Sequence, residues 1–152
     1  MIRTQGALAF MLLCATLVTP CWAGELAGMV KTAKGQVAIE RNGQRMAAAV
    51  GSPVEVGDKL RTGQTSSVGV TLRDNTLLSA GANALIVIDK FRYDNVSDAG
   101  EMTIGVRKGT LSVATGRIAR KTPESVDFRT PTSVLGVRGT EFVIEVVEGR
   151  DE

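Results

Sequence analysis

The 152 residues contain no histidine, so imidazole is unavailable as base, proton shuttle or metal ligand, and triads or zinc sites built on it are excluded. Aromatic residues make up only 4%, too few for a stacking platform against sugars or nucleobases. Charge of one sign is also missing: 18 Lys+Arg stand against 16 Asp+Glu, a balance that does not attract a polyanion, and no nucleic-acid partner is expected. The two cysteines, Cys14 and Cys21, both lie near the N-terminus, and nothing after them can form a disulfide. No apolar run after the first two dozen residues is long enough for a bilayer-spanning helix.

What is present begins with an export signal over residues 1–23. Arg3 supplies the positive start, Ala7–Val18 the apolar stretch, and Pro20 the break before Cys21, Trp22 and Ala23. The apolar stretch is shorter than the roughly 20 residues a spanning helix needs, so cleavage after Ala23 is expected. Cleavage would leave a periplasmic or secreted chain with no transmembrane segment. Without disulfides, it must cohere by burying apolar surface and pairing backbone groups.

The remaining chain alternates with period two. Val37 and Ile39 alternate with Ala38 and Glu40; Val68, Val70 and Leu72 form a second set; Met102, Ile104 and Val106 a third. Leu111 and Val113, Val126 and Phe128, and Phe142, Ile144 and Val146 continue it. Such alternation sends one set of side chains to a packed face and the other outward. Leu85–Ile88 is continuously apolar and predicts a strand covered on both faces. Turn residues separate these runs roughly every 8–12 residues, as in all-β domains. Asn42 and Gly43 suit a type I′ hairpin. Gly51 to Pro53, Gly57 and Asp58, Thr62 and Gly63, Asp74 and Asn75, Gly81 to Asn83, Lys108 and Gly109, and Thr130 and Pro131 mark further turns. Helical spacing is absent, and Met46–Val50 reads as strand or extended coil. The expectation is one all-β domain of short stacked strands, solenoid-like or a rolled sheet. Two longer loops are expected, at residues 93–101 and 114–125.

Several clusters invite chemistry. Asp94, Asn95, Asp98 and Glu101 could offer oxygen ligands, but their spacing does not fit the helix-loop-helix calcium pattern, and a solvated turn is the better reading. Arg107, Lys108, Arg117, Arg120 and Lys121 form a basic concentration that reads as solvated surface. Asp58, Asp74, Asp89, Asp127, Glu141 and Glu145 could supply hydrolytic carboxylates, yet nothing pairs any two of them, and Asp58 and Asp74 at turns are expected to be solvent-exposed. Neither metal nor cofactor is expected, nor enzymatic activity. Arg138 lies between apolar neighbours and calls for an acceptor, a carboxylate or carbonyls at a corner.

The chain resembles the FecR-domain family. The resemblance rests on Gly35 to Val37, on Gly57, Asp58, Thr62 and Gly63, on the strand Val68–Leu72 followed by Asp74 and Asn75, and above all on Pro131 leading to Arg138, Gly139, Thr140 and Phe142. It spans residues 28–147, leaving 148–152 as a polar tail. It implies a periplasmic, all-β, solenoid-like domain without catalytic residues, in which these positions form a structural motif. Family sensors relay a receptor's state across a membrane; the leader and the stop soon after Phe142 point instead to a free-standing module. The expected partner is another envelope protein, engaged through an exposed strand edge, with signal sensing as its use. A peptidoglycan or surface-polysaccharide partner is the alternative.

Overall fold

The computed structural model describes residues 24–138 and 141–147. The expected leader, Gly139, Thr140 and the tail 148–152 lie outside the described residues. The described chain is almost entirely strand: β1 (Leu26–Lys34), β2 (Val37–Arg41), β3 (Gln44–Ala47), β4 (Pro53–Glu55), β5 (Lys59–Thr62), β6 (Ser67–Leu72), β7 (Leu77–Ala80), β8 (Leu85–Tyr93), β9 (Gly100–Ala114), β10 (Val126–Arg129), β11 (Val134–Gly136) and β12 (Glu141–Val146). One helical turn, α1 (Arg117–Lys121), and a 3-10 turn at Pro123–Ser125 precede β10.

The hairpin residues do what their conformational freedom allows. Asn42 (φ 51°) and Gly43 (φ 76°) join β2 to β3 in two residues. The pattern 44–47 is strand, and Ala48 follows as coil. The strands run in the order β3-β2-β5-β8-β9-β7-β6-β1-β4. β10 pairs parallel with the first half of β9, and β12 antiparallel with its second half.

The sheet curls because β9 serves two wings. Its first half pairs with β8 as far as Lys108, opposite Leu85. Its second half pairs with β7 from Leu111, opposite Ala80. Between them Gly109 takes φ 83°, so the residues read as a turn are a corner within one continuous strand. The result is a curled half-barrel, the rolled sheet among the expected forms. Stacked solenoid rungs would need parallel neighbours throughout, and among the described pairs only β10–β9 is parallel.

Both wings turn their alternate residues onto one core. Val30, Val68, Val70, Leu72, Leu78, Leu111 and Val113 come from one wing; Ile39, Leu60, Ile86, Ile88, Met102, Ile104 and Phe128 come from the other. Leu85–Ile88 sits mid-sheet between β5 and β9, with Ile86, Val87 and Ile88 all buried. The loop expected at 114–125 is helical instead: Ile118 is fully buried, which anchors α1 to the core despite its single turn. A one-turn helix leaves no period to read in sequence. Residues 93–101 shrink to a turn over Asp94–Ala99, since Tyr93 still belongs to β8 and Gly100 to β9. Among the described residues no helix is long and apolar enough to cross a membrane.

At the corner, a Cβ on Gly109 would stand 2.7 Å from Ala84 Cα, and its φ disfavours any side chain. Gly109→Ala is expected to destabilise the fold by about 2–4 kcal/mol, read as a lower urea midpoint with unchanged far-UV circular dichroism at low denaturant.

Candidate functional site

The motif residues Gly57, Asp58, Thr62 and Gly63 tie strands together. Asp58 is fully buried although it begins at a turn. Its Oδ1 accepts from Arg41 Nε at 2.8 Å; its Oδ2 accepts from the second guanidinium nitrogen at 2.7 Å and from the Glu55 N–H at 2.8 Å. Arg41 also pairs with Glu55 Oε1 at 3.0 Å and donates to the Pro53 carbonyl. This bidentate contact holds the Arg41 guanidinium above its ordinary pKa. Gly57 N–H donates to the Ile88 carbonyl, and Ile88 N–H to the Asp58 carbonyl, which lock the β4–β5 turn onto β8. Thr62 Oγ1 donates to the Gly81 carbonyl at 2.6 Å and accepts from Ala84 N–H at 2.9 Å. Gly63 N–H donates to the Gln36 carbonyl.

Asp74, the other turn carboxylate, is also fully buried. It accepts from Thr76 N–H and Oγ1 and from Ile118 N–H, so it docks the first turn of α1. The expected exposure of Asp58 and Asp74 is thus reversed. A turn carboxylate can fold back onto orphan backbone donors, and composition does not show when it does. Both are committed as acceptors and lie in separate clusters. Asp89 is near Arg107 (4.0 Å), Asp127 alternates with the buried Val126 and Phe128 on β10, and Glu141 and Glu145 are exposed on β12, so the six carboxylates form no common site.

The C-terminal part of the motif sits differently. Pro131 lies in the exposed turn between β10 and β11, where Thr130 and Ser133 bond each other. Arg138 is exposed and has no hydrogen bond or ion pair with a described residue, so the acceptor expected for it is not found there. Of its apolar neighbours, Val134 and Leu135 are exposed, while Val137 is half-buried against the core. Phe142 is half-buried and meets Phe128 edge to face, ring centres 5.0 Å apart. In the acidic loop, Asp94 accepts from Val96 and Ser97 N–H, and Asp98 from the Tyr93 hydroxyl and Arg117. Asp94 thus serves the turn itself, and Asp98 ties the turn to β8 and α1. Arg107 and Arg117 are drawn to Asp89 and Asp98, so the basic concentration is split between two local pairs.

A different constellation appears on the outer face of the β3-β2-β5-β8 wing. The ladder places Arg45 beside Glu40, Glu40 beside Lys59, Lys59 beside Val87, Val87 beside Gly105, Gly105 beside Arg129, and Arg129 beside Val134. The next row runs Ala47, Ala38, Arg61, Leu85 and Lys108. Small alanines between long cations leave a cleft of about 700 Å³. Arg45, Arg61 and Lys108 line it, with Ala38, Ala47 and Thr62, and no acidic side chain does. Glu40 lies beside the cleft. It accepts from Arg61, which holds its carboxylate below the usual range, and lies 3.9 Å from Arg45.

The cleft opens onto the edge of the sheet. All four residues of β3 are exposed, and β3 pairs with β2 alone among the described strands. Ala48 N–H donates to the Val37 carbonyl. Antiparallel alternation then turns the backbone groups of Gln44 and Met46 toward β2, and those of Arg45 and Ala47 away from it. The residues with open backbone groups are thus the ones whose side chains face the cleft. Sequence reasoning missed this pairing; the available signal was the Asn42–Gly43 hairpin, which fixes the parity of every residue in β3.

The model of the family described as FecR protein matches residues 58–152. It therefore takes in Asp58, Thr62, Gly63 and the C-terminal motif, but not Gly35 to Val37. No curated protein matches the chain. A solved structure described as a cell surface anchoring domain is 27% identical, covers 41% of this chain and 83% of its own, and superposes with a TM-score of 0.40. That likeness is too slight to carry a conclusion about fold or function.

Removing the Asp58 carboxylate leaves Arg41 and the Glu55 N–H without their acceptor. Asp58→Ala is expected to cost about 2–4 kcal/mol in chemical denaturation. Tyr93 is the single tyrosine, and its hydroxyl donates to Asp98 at 2.7 Å, which raises its pKa above the ordinary phenol value. Absorbance titration should find that elevation, and Asp98→Asn should bring the midpoint down.

Proposed function

The chain belongs to the FecR protein family, and from that membership we propose that it is a non-enzymatic periplasmic module that binds another envelope protein by accepting one of its strands at the β3 edge. One observation carries the reading: Arg45 and Ala47 sit on an exposed edge strand with their backbone groups directed away from β2. Unpaired edge groups are a ready template for main-chain hydrogen bonds from a partner. β4 is a poorer template, because it is three residues long and Pro53 lacks an N–H. The leader-like residues 1–23 support export. The full engagement of Asp58 and Asp74 inside the fold supports binding over acid–base chemistry. Signal sensing is the use such an occupancy would serve.

The cationic cleft favours a second reading, a module for peptidoglycan or surface polysaccharide bearing anionic groups. With aromatic residues at 4%, stacking against sugar rings would contribute little.

Ala47→Pro separates the two. Proline at 47 removes a donor directed away from β2 and leaves the β2–β3 ladder intact. Capture of envelope proteins by the immobilised chain should fall to background with Ala47→Pro while its circular dichroism stays unchanged. Equal capture by both forms would overturn the edge reading, and retention of both on purified cell wall would favour the glycan.

A further inference from the structure

We infer that the strand accepted at the β3 edge is acidic: an extended segment of a partner protein that carries glutamates two residues apart. The inference rests on the edge-binding reading given above and adds the chemistry of the partner to it. Side chains two apart on a strand point to the same face. A strand laid beside β3 therefore sets every second side chain on the face where Arg45 and Ala47 open into the cleft. Ala47 and Ala38 are neighbours in one cross-strand row, and neither fills the space above the sheet. A long side chain entering from the edge can lie over them toward Arg61, the next member of that row. Arg45 meets it at the rim.

Charge decides which side chain that is. The lining carries Arg45, Arg61 and Lys108 and no carboxylate. Glu40 is drawn to Arg61, which leaves Arg45 the more available of the two: its side chain is 63% exposed, against 41% for Arg61, and Glu40 stands 3.9 Å away. A lysine entering here would face like charge, and an apolar residue would leave the guanidinium groups to solvent. Glutamate forms a cross-strand pair with Arg45 and extends farther than aspartate toward Arg61. The open edge favours a protein over an anionic polysaccharide, because a polypeptide strand presents N–H and C=O groups at the repeat that the backbone groups of Arg45 and Ala47 match.

The test uses the exported chain, isotopically labelled, with two synthetic seven-residue peptides, Thr-Val-Glu-Val-Glu-Val-Thr and its glutamine counterpart, and with polygalacturonate as an anionic glycan. Amide chemical shifts report the site. The glutamate peptide should move the Arg45 and Ala47 amides and bind about fivefold more tightly than the glutamine peptide, a margin that shrinks as salt is raised. Arg45→Gln should abolish that margin. Equal binding of the two peptides at the edge would overturn the acidic preference and leave the edge reading standing. Failure of both to move the Arg45 and Ala47 amides would overturn both. Polygalacturonate binding at least as tightly as the glutamate peptide, with Arg61 shifted and the edge amides still, would replace the peptide with a glycan. Self-association of the chain alone, lost in Glu141→Gln with Glu145→Gln, would replace the partner with β12 of a second copy.

Discussion

A fifteen-residue strand bent once, β9 with its corner at Gly109, is the feature on which the rest of the molecule depends. Its first half binds β8 on one side and β10 on the other; its second half binds β7 and β12. Every inward side chain of both wings reaches the common core because the wings diverge at that bend. A straight strand of that length would give a flat sheet with two uncovered faces. The corner needs a residue with positive φ and no Cβ, since Ala84 lies against it. With no disulfide available beyond Cys21, this geometry and the aliphatic rows of the core hold the chain together.

A curled sheet that does not close keeps its edges, and the chain disposes of them unequally. β4 is short and starts with a proline. β3 is held on one side by the Asn42–Gly43 hairpin and, among the described strands, lies open on the other. The same hairpin sets which residues of β3 present backbone outward and which face of the wing their side chains take. Edge and cleft are therefore one feature, built from Arg45 and Ala47 at the rim and Arg61 behind. The signature carboxylate Asp58 contributes at a distance. It clamps Arg41, the last residue of β2, and fixes the hairpin base from which β3 projects.

Period-two alternation at Val68, Val70 and Leu72, or at Met102, Ile104 and Val106, made the strands and their buried faces legible, because a residue's face depends only on its parity within a strand. The turns at Asn42–Gly43 and Asp74–Asn75 were legible for the same local reason, their tolerance of positive φ. Lys108–Gly109 was misread, since a glycine permits both a reversal and a corner and only the partners of β9 choose between them. Asp58 and Asp74 were placed at the surface because a polar turn residue next to glycine or asparagine has no sequence mark that distinguishes solvent from orphan backbone donors. The apolar neighbours of Arg138 do not share one fate, since Val137 packs against the core whereas Val134 and Leu135 are exposed.

The sequence alone determined that the chain is all-β, that it lacks disulfides beyond its first residues, and which side of most strands is apolar. These follow from local rules of backbone conformation and alternation. Tertiary structure decided that the sheet rolls instead of stacking, that two turn carboxylates are buried, and that three cations and two alanines from β2, β3, β5 and β9 share one cleft at an open edge. Those outcomes depend on which strands become neighbours. Neighbours far apart in sequence are chosen by how the whole sheet covers its core, which no local segment encodes.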